Sequence, residues 1–276
     1  MRKLSLLTLL LLAPAAAFAT TPECKHSQPR NLALDLSGVK AVVFDIANND
    51  LTIDAIAGSK AALAGQACAS DEKYLPQLKL TQHKAGDKLY VTARREGSSV
   101  GIFLGNNYAY LKLAATLPDN VMVQLKVGSG DAVVTGASLL SADVGSGDVE
   151  ARHIRGLVAA TVGSGDITLE DIGSLHVISV GSGDLSAKKV RGPAKIGSVG
   201  SGDFELDGAL GDVEIGSVGS GDAKVTGISG SVNVASVGSG DVEVNDIRGD
   251  LSVRSKRSGS VSHNRVDGRV SVPSDN

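Results

Sequence analysis

The chain has 276 residues, 27 basic and 30 acidic side chains, a formal net charge of −3 and 3 % aromatic residues with no Trp. This mildly acidic composition lacks the basic stripe on which nucleic-acid binding depends, so we expect no nucleic-acid partner. So few aromatic side chains favour a core of Val, Ile, Leu and Ala in thin, regular layers over one large globular centre.

Residues 1–19 have the pattern of a secretory signal peptide. Arg2 and Lys3 precede a mostly apolar run over 4–13, and 17–19 reads Ala-Phe-Ala, a small-x-small cleavage site. Cleavage would remove two basic and no acidic side chains, leaving 25 against 30 and a net charge of −5. No later segment approaches the roughly 20 apolar residues of a membrane span. The sequence therefore predicts an exported protein that is periplasmic or secreted and has no membrane span.

Two cysteines, Cys24 and Cys68, remain after this cleavage. In an oxidising compartment we expect a disulfide between them, with a pair of unlinked thiols as the alternative. Closing a loop of that size would contribute about 3–4 kcal/mol, mostly by restricting the unfolded chain.

The segment 20–125 is less regular than the C-terminal part of the chain, and we interpret it as an N-terminal β capping region. Within it, 41–56 (AVVFDIANNDLTIDAI) looks like a divergent copy of the later repeat, with Asn-Asn-Asp at 48–50 in place of its corner motif. Aromatic, glycine and basic residues gather at 94–110 (RREGSSVGIFLGNNYAY), which is either a binding surface or a capping hairpin.

From residue 126 onward one motif, Val-Gly-Ser-Gly-Asp, occurs seven times at intervals of 17–19 residues, and Ser260 begins a degenerate eighth unit. A fixed period near twenty residues is typical of stacked repeats. The second and fourth residues after each cut at Asp are apolar, as in Phe204 and Leu206, which predicts short half-buried strands. Gly on both sides of Ser is expected to supply positive φ angles at the corner.

We therefore predict an all-β fold, a parallel β-solenoid of about eight 18–19-residue coils over 126–276. Coils ~4.8 Å apart would form a rod about 38 Å long. The outward residues Arg152, Glu170, Lys188 and Asp207 alternate in charge along one column, which favours stacking in register.

Stacking in register would place seven carboxylates in one row: Asp131, Asp148, Asp166, Asp184, Asp203, Asp222 and Asp241. Like charges ~4.8 Å apart repel by about 1 kcal/mol in water, so something must offset this cost. One explanation is corner chemistry, in which each carboxylate accepts hydrogen bonds from nearby backbone N–H groups. The other is a row of calcium ions between adjacent Asp residues, as in calcium-binding β-rolls. No other cofactor is expected.

The sequence contains no candidate catalytic cluster. Seven equivalent serines cannot each have their own base, and His153, His176 and His263 fall at different positions of their units. In the last unit Lys256, Ser260 and His263 replace recurrent Val, Asp and apolar residues, which indicates a polar end cap.

The segment LPDNVMVQLKVGSGDAVV, followed by recurrent Ser-Gly-Asp-apolar-x-apolar units, resembles the DUF4097 family of candidate bacterial adhesins and the related head-GIN autotransporter group. The resemblance implies a β-solenoid on an exported bacterial protein and supplies no catalytic residues. We expect a non-enzymatic structural or binding module of the cell envelope. Its partner would be an unidentified envelope protein or polysaccharide, and the rods could also associate end to end. The alternatives are a calcium-binding β-roll-like module and a carbohydrate-active β-helix enzyme.

Overall fold

The computed structural model describes residues 24–97 and 107–274. The predicted signal peptide and residues 98–106 of the 94–110 segment lie outside these ranges. Within them, no helix is long and apolar enough to cross a membrane.

The N-terminal part contains eight strands and one 3₁₀ helix (Glu72–Gln77, between β5 and β6). The strands are β1 (His26–Pro29), β2 (Leu32–Ala33), β3 (Ala41–Ala47), β4 (Asp50–Ile56), β5 (Ala62–Ala69), β6 (Leu78–Ala85), β7 (Lys88–Arg95) and β8 (Ala109–Pro118).

The remaining strands build the repeats. They are β9 (Met122–Val127), β10 (Ala132–Thr135), β11 (Leu140–Val144), β12 (Val149–Val162), β13 (Ile167–Val180), β14 (Leu185–Val190), β15 (Ala194–Val199), β16 (Phe204–Ala209), β17 (Val213–Val218), β18 (Ala223–Ile228), β19 (Val232–Val237), β20 (Val242–Ile247), β21 (Leu251–Val253), β22 (Val261–Val266) and β23 (Val270–Ser271).

These strands stack in parallel and in register, which confirms the β-solenoid. We call the strand segment that follows each corner Asp the first strand of its coil and the segment that leads to the next corner the second strand. β12 and β13 are continuous and each contain both segments. First strands pair only with first strands, so Leu185 lies opposite Phe204 and Phe204 opposite Ala223. Second strands pair likewise, with Val213 opposite Val232. The chain is therefore a rod with two long strand faces.

The core runs along the axis of the rod between the two faces. In the coil that begins at Asp203, buried side chains recur in the same spacing on both strands: Phe204, Leu206 and Ala209, then Val213, Ile215 and Val218. The four coils that begin at Asp166, Asp184, Asp203 and Asp222 thus contain two copies of one half-coil pattern, apolar-x-apolar-x-x-apolar. In the two coils before them the second strand is one residue shorter in this spacing, as in Val158, Ala160 and Val162. Burial of these thin aliphatic layers drives folding, at roughly 25 cal/mol per Å² of apolar surface.

A left-handed residue lies five places after each corner position and allows this spacing in the first strand of each coil. Its φ is positive at Gly136, His153, Asp171, Lys189, Gly208, Gly227, Asp246 and Arg265. The residue is left out of the strand ladder, as between the pairs Arg152–Glu170 and Ile154–Ile172. Because one residue is bulged out, the residue after it faces inward again.

The N-terminal segment adds coils in an order that differs from the order of the chain. Strands β3 and β4 form one coil, as the sequence predicted for 41–56, and it stacks on β9 and β10. Its opposite side pairs in parallel with β7 and β8. The coil of β3 and β4, which comes first in the sequence, therefore lies between two coils that are built from later segments.

Antiparallel strands close this end of the rod. Strand β6 pairs with β7, β5 with β8, and β1 and β2 pair with β5. The division at residue 125 stays a prediction, since β9 spans it and parallel pairing continues on both sides.

At the other end, β22 and β23 form the last described coil. His263 lies opposite Val244 of the preceding coil and is exposed. Val261 and Val266 are only partly buried.

Candidate functional site: the aspartate corner and the strand faces

The seven corner aspartates form one row, and each contacts the next coil through a hydrogen bond. The Oδ1 atom of Asp184 accepts the backbone N–H of Asp203 at 2.9 Å, and the same bond recurs from Asp131 to Asp241 at 2.9–3.2 Å. At the end of the row, Asp241 Oδ1 accepts both the N–H and the hydroxyl of Ser260. These two bonds hold the pKa of Asp241 below its ordinary value, with the hydroxyl bond the larger cause. The carboxylates thus join successive coils.

The corner glycines serve close packing, and the expectation of positive φ was wrong. Among the described residues, the positive-φ glycines all lie outside the Gly-Ser-Gly-Asp motifs. A Cβ on Gly202 would lie 1.9 Å from the carbonyl oxygen of Gly183 in the coil below, and Gly221 faces Gly202 in the same way. Stacking corner on corner therefore leaves no space for a side chain at the second glycine.

A second row of similar design occupies the opposite corner, whose residue types vary from coil to coil. Asp212 Oδ1 accepts the N–H of Ser231, Ser231 Oγ accepts that of Asp250, and Asp250 Oδ1 accepts that of Arg269. Pro193 occupies this position one coil before Asp212 and has no N–H to satisfy. The signal was present in the sequence as Gly-x-apolar-x-apolar at 19-residue spacing, for example RGPAKI, LGDVEI and RGDLSV.

The outward charges of the first strands lie in the predicted ladder. Glu170 is opposite both Arg152 and Lys188, and Lys188 is opposite Asp207. The close ion pair, however, joins Glu170 to Lys189 at 2.8 Å and lowers the pKa of Glu170. The left-handed bulge turns Lys189 toward this carboxylate, and the sequence pattern could not show that.

Residues of the bulge column form three further ion pairs. His153 Nδ1 lies 2.8 Å from Asp171 Oδ2, and Arg191 Nε lies 3.3 Å from Asp171 Oδ1. The hydrogen bond from His153, followed by the charge of Arg191, lowers the pKa of Asp171. Arg265 pairs with Asp246 and lowers its pKa in the same way. Exposed pairs of this kind contribute little to stability.

The second-strand face carries a row of hydroxyls beside a shallow trough. Ser179, Ser198, Ser217 and Ser236 are register partners in successive coils. The trough is lined by small residues at Gly197, Gly216 and Ala235 and by the polar side chains of Lys195, Glu214 and Asn233. Over these coils the face is therefore flat and polar, whereas one coil earlier Ile178 is 56 % exposed in the column of Gly197.

The corner row meets the coordination needs of calcium only in part. Calcium takes 6–8 oxygen ligands, whereas two adjacent corner carboxylates offer four oxygens, of which Oδ1 already accepts an N–H. Across 24–97 and 107–274, no three His, Cys, Asp or Glu side chains converge as a metal site. An ion bound here would be shared between coils and would keep several waters.

Cys24 and Cys68 form the predicted disulfide, with their Cα atoms 5.2 Å apart. Cys68 is fully buried in β5. The bond attaches the first described residue to the antiparallel cap.

These features define the class of protein: a parallel β-solenoid with hydrogen-bonded corner rows, flat polar faces and a capped N-terminal end. Residues 39–276 match the model of the Toastrack family DUF4097, and the chain belongs to that family. No curated protein matches the sequence.

Solved structures share the fold at low sequence identity. A candidate adhesin from Parabacteroides distasonis is 12 % identical with a TM-score of 0.56, covering 87 % of this chain and 97 % of its own. A candidate lipid-binding protein from the same organism is 18 % identical with a TM-score of 0.53, covering 87 % and 98 %. The fold class is therefore found in solved bacterial proteins of different described roles.

Proposed function

We propose that the protein is a non-enzymatic structural and binding module of the bacterial cell envelope. Stacking in register carries this proposal, since it repeats one set of outward side chains at a single spacing along each face. Such rows suit an extended, repetitive partner, for example an envelope polysaccharide, better than a compact substrate. A binding role is supported by two solved structures of this fold. One is described as a candidate adhesin and the other as a candidate lipid-binding protein.

Export belongs to the same proposal. The signal-peptide pattern of 1–19 and the disulfide support an oxidising compartment. Fractionation of cells that produce the full chain should recover it outside the cytoplasm and cleaved after Ala19. Recovery of uncleaved protein in the cytoplasm would contradict this part of the proposal.

Binding through the faces can be tested with two matched variants. Asn233→Arg enlarges a residue on the second-strand face beside Glu214, and Thr226→Arg does the same on the first-strand face beside Asp207. Each new cation has an acidic neighbour, but the Thr226 hydroxyl is buried, so melting curves must first show that both variants keep the wild-type fold. The assay is cosedimentation of the labelled protein with isolated envelope polysaccharide and peptidoglycan.

The proposal predicts that wild-type protein binds at least one fraction and that only one variant weakens this binding. Equal binding by all three proteins would exclude the two strand faces as the binding site. If none of the proteins binds either fraction, only the structural part of the proposed role would remain. Depolymerisation of pectin-like or other acidic polysaccharides would instead support the β-helix enzyme alternative. End-to-end association of rods remains a further prediction, which sedimentation velocity across protein concentrations would check.

A further inference from the structure

A shallow pocket lies at the N-terminal end of the corner row. Leu51 is opposite Ala132, and Asp50 is opposite Lys112 of β8, so the row of corner aspartates ends beside a cation. The pocket opens where β3 turns into β4, between the end of β7 and the start of β8. Its lining combines two aromatic rings with four polar groups: Asn48, Asp50, Arg95, Asn107, Tyr108 and Tyr110.

The backbone beneath this pocket is fixed by a buried amide. Asn49 is 1 % exposed, and it is the buried polar side chain of the described core. Its Nδ2 donates to the carbonyls of Ile46 and Ala93 at 2.8 and 3.1 Å, and its Oδ1 accepts the N–H of Leu111 at 2.7 Å. One side chain therefore joins the β3–β4 turn to both β7 and β8, which holds the three walls of the pocket together.

The aromatic side chains are also held in place. Tyr108 Oη accepts the N–H of Lys25 at 3.1 Å, and the backbone of Tyr108 exchanges hydrogen bonds with Ser70. The rings of Tyr108 and Tyr110 are 5.9 Å apart between centroids and tilted by 41°. Tyr110 is opposite Cys68, whose disulfide retains the segment that carries Lys25.

The polar groups complement each other in charge. Arg95 Nε donates to Gln77, and its guanidinium lies 4.9 Å from the centre of the Tyr74 ring. Lys112 Nζ lies 5.8 Å from the centre of the Tyr110 ring, and Lys112 is not among the residues that line the pocket. The lining itself contains one cation, Arg95, and one anion, Asp50, beside two amides, so it presents donors and acceptors side by side without an excess of one charge.

We propose that this pocket binds a neutral pyranose unit of a glycan. The face of a pyranose carries C–H hydrogens that suit the negative face of an aromatic ring, and its edge carries hydroxyls that both donate and accept. Two anchored rings beside an acid, a guanidinium and two amides match both sides of such a ligand. This inference rests on the proposed binding role and names its ligand class, and it places recognition at one end of the rod.

The test is titration calorimetry of the disulfide-intact chain with cellotriose, maltotriose, xylotriose and triacetylchitotriose as neutral probes. Tyr108→Ala and Tyr110→Ala each remove one ring, and Asp50→Asn removes the carboxylate with little change in shape. Tyr90→Ala is the matched control, because Tyr90 stacks on His83 at 4.9 Å and lies outside the pocket. Melting curves confirm that each variant is folded.

We expect at least one trisaccharide to bind, and each pocket variant to weaken its affinity by about tenfold or more. Tyr90→Ala should stay within about twofold of wild type. The proposal that this pocket binds a pyranose would be overturned if no probe binds at about 10 mM. It would also be overturned if the tyrosine variants bind as tightly as the wild-type protein. The face proposal would then be decided separately by Asn233→Arg and Thr226→Arg, since neither residue lines the pocket.

Discussion

The aspartate row is stable because each carboxylate fills a need of the neighbouring coil. Repulsion between like charges at coil spacing amounts to about 1 kcal/mol in water, and a charge-assisted hydrogen bond is of similar or larger size. Asp184 Oδ1 accepts the N–H of Asp203, which has no strand partner at the corner. Asn could make the same bond without the charge.

Two substitutions of Asp184 distinguish the contribution of its hydrogen-bond acceptor to stability from that of its negative charge. Asp184→Ala is expected to lower the free energy of unfolding by about 1 kcal/mol, or roughly 2–4 °C in Tm, because the N–H of Asp203 loses its acceptor. Asp184→Asn should remain within about 1 °C of wild type, since it keeps the acceptor and removes a repulsion. Thermal melts followed by circular dichroism measure both, and an equal loss in the two variants would contradict the hydrogen-bond explanation.

Calcium binding along the same row remains a separate prediction. If adjacent carboxylates share calcium, millimolar calcium will raise the Tm of the wild-type protein, because a ligand that binds only the folded state stabilises it. Asp184→Asn should then show a smaller rise. Equal melting temperatures with and without calcium would mean that the aspartate row does not bind calcium and serves only the corner hydrogen bonds.

At the scale of elements, the corners are determined by what the next coil allows. The second glycine of each motif has backbone of the adjacent corner where its side chain would lie. The bulge column is different, because its residues have left-handed φ angles and point outward. Glycine is therefore required at the second glycine of each corner motif. At the bulge position glycine only relieves backbone strain, and other residues occur there.

Gly202→Ala should lower the free energy of unfolding by about 3 kcal/mol or more, because its Cβ would lie 1.9 Å from a backbone oxygen that stacking holds in place. The matched control is Ser201→Ala in the same corner, where the side chain is exposed and the expected change in the free energy of unfolding is less than about 0.5 kcal/mol. Chemical denaturation measures both. Similar stability for the two variants would mean that the corners do not stack closely.

The bulge is tested at Lys189, whose φ is +56°. Lys189→Val should cost about 1–3 kcal/mol, because a β-branched residue is strongly strained there. Lys189→Gly loses the same ion pair with Glu170 but relieves the backbone, so it should remain within about 1 kcal/mol of wild type. Denaturant melts of the pair isolate the backbone contribution, and equal losses would contradict a left-handed conformation at this position.

At the scale of the whole molecule, the rod is a sum of equivalent interfaces between neighbouring coils. Removal of one full coil should therefore be tolerated better than removal of part of one. Coils in the C-terminal half have 19 residues, so a cut at equivalent positions brings matching columns together.

Deletion of residues 203–221 joins Gly202 to Asp222 and should give a folded rod that is shorter by ~4.8 Å. Deletion of residues 203–212 removes one half-coil and should prevent cooperative folding, because the corners above and below no longer match. Small-angle scattering and circular dichroism report length and fold. A folded half-coil deletion beside an unfolded full-coil deletion would contradict additive stacking.

The sequence by itself determined the repeated part of the protein. Inward apolar residues, corner glycines and corner aspartates recur because every coil meets the same packing and hydrogen-bonding requirements. The period therefore predicted the solenoid, the register of Glu170 with Lys188 and the alignment of the aspartates. It also contained the second corner row at Asp212, Ser231 and Asp250, which its mixed residue types obscured.

Only the tertiary structure decided the features that occur once. The coil of β3 and β4 lies between β7–β8 and β9–β10, an order that follows from antiparallel closure of the cap and has no periodic signal. Asn49 joins Ile46, Ala93 and Leu111, and Tyr108 meets Lys25, across separations that no local pattern encodes. The proposed glycan pocket depends on these long-range contacts, because burial and hydrogen bonding select partners by distance in space rather than by spacing along the chain.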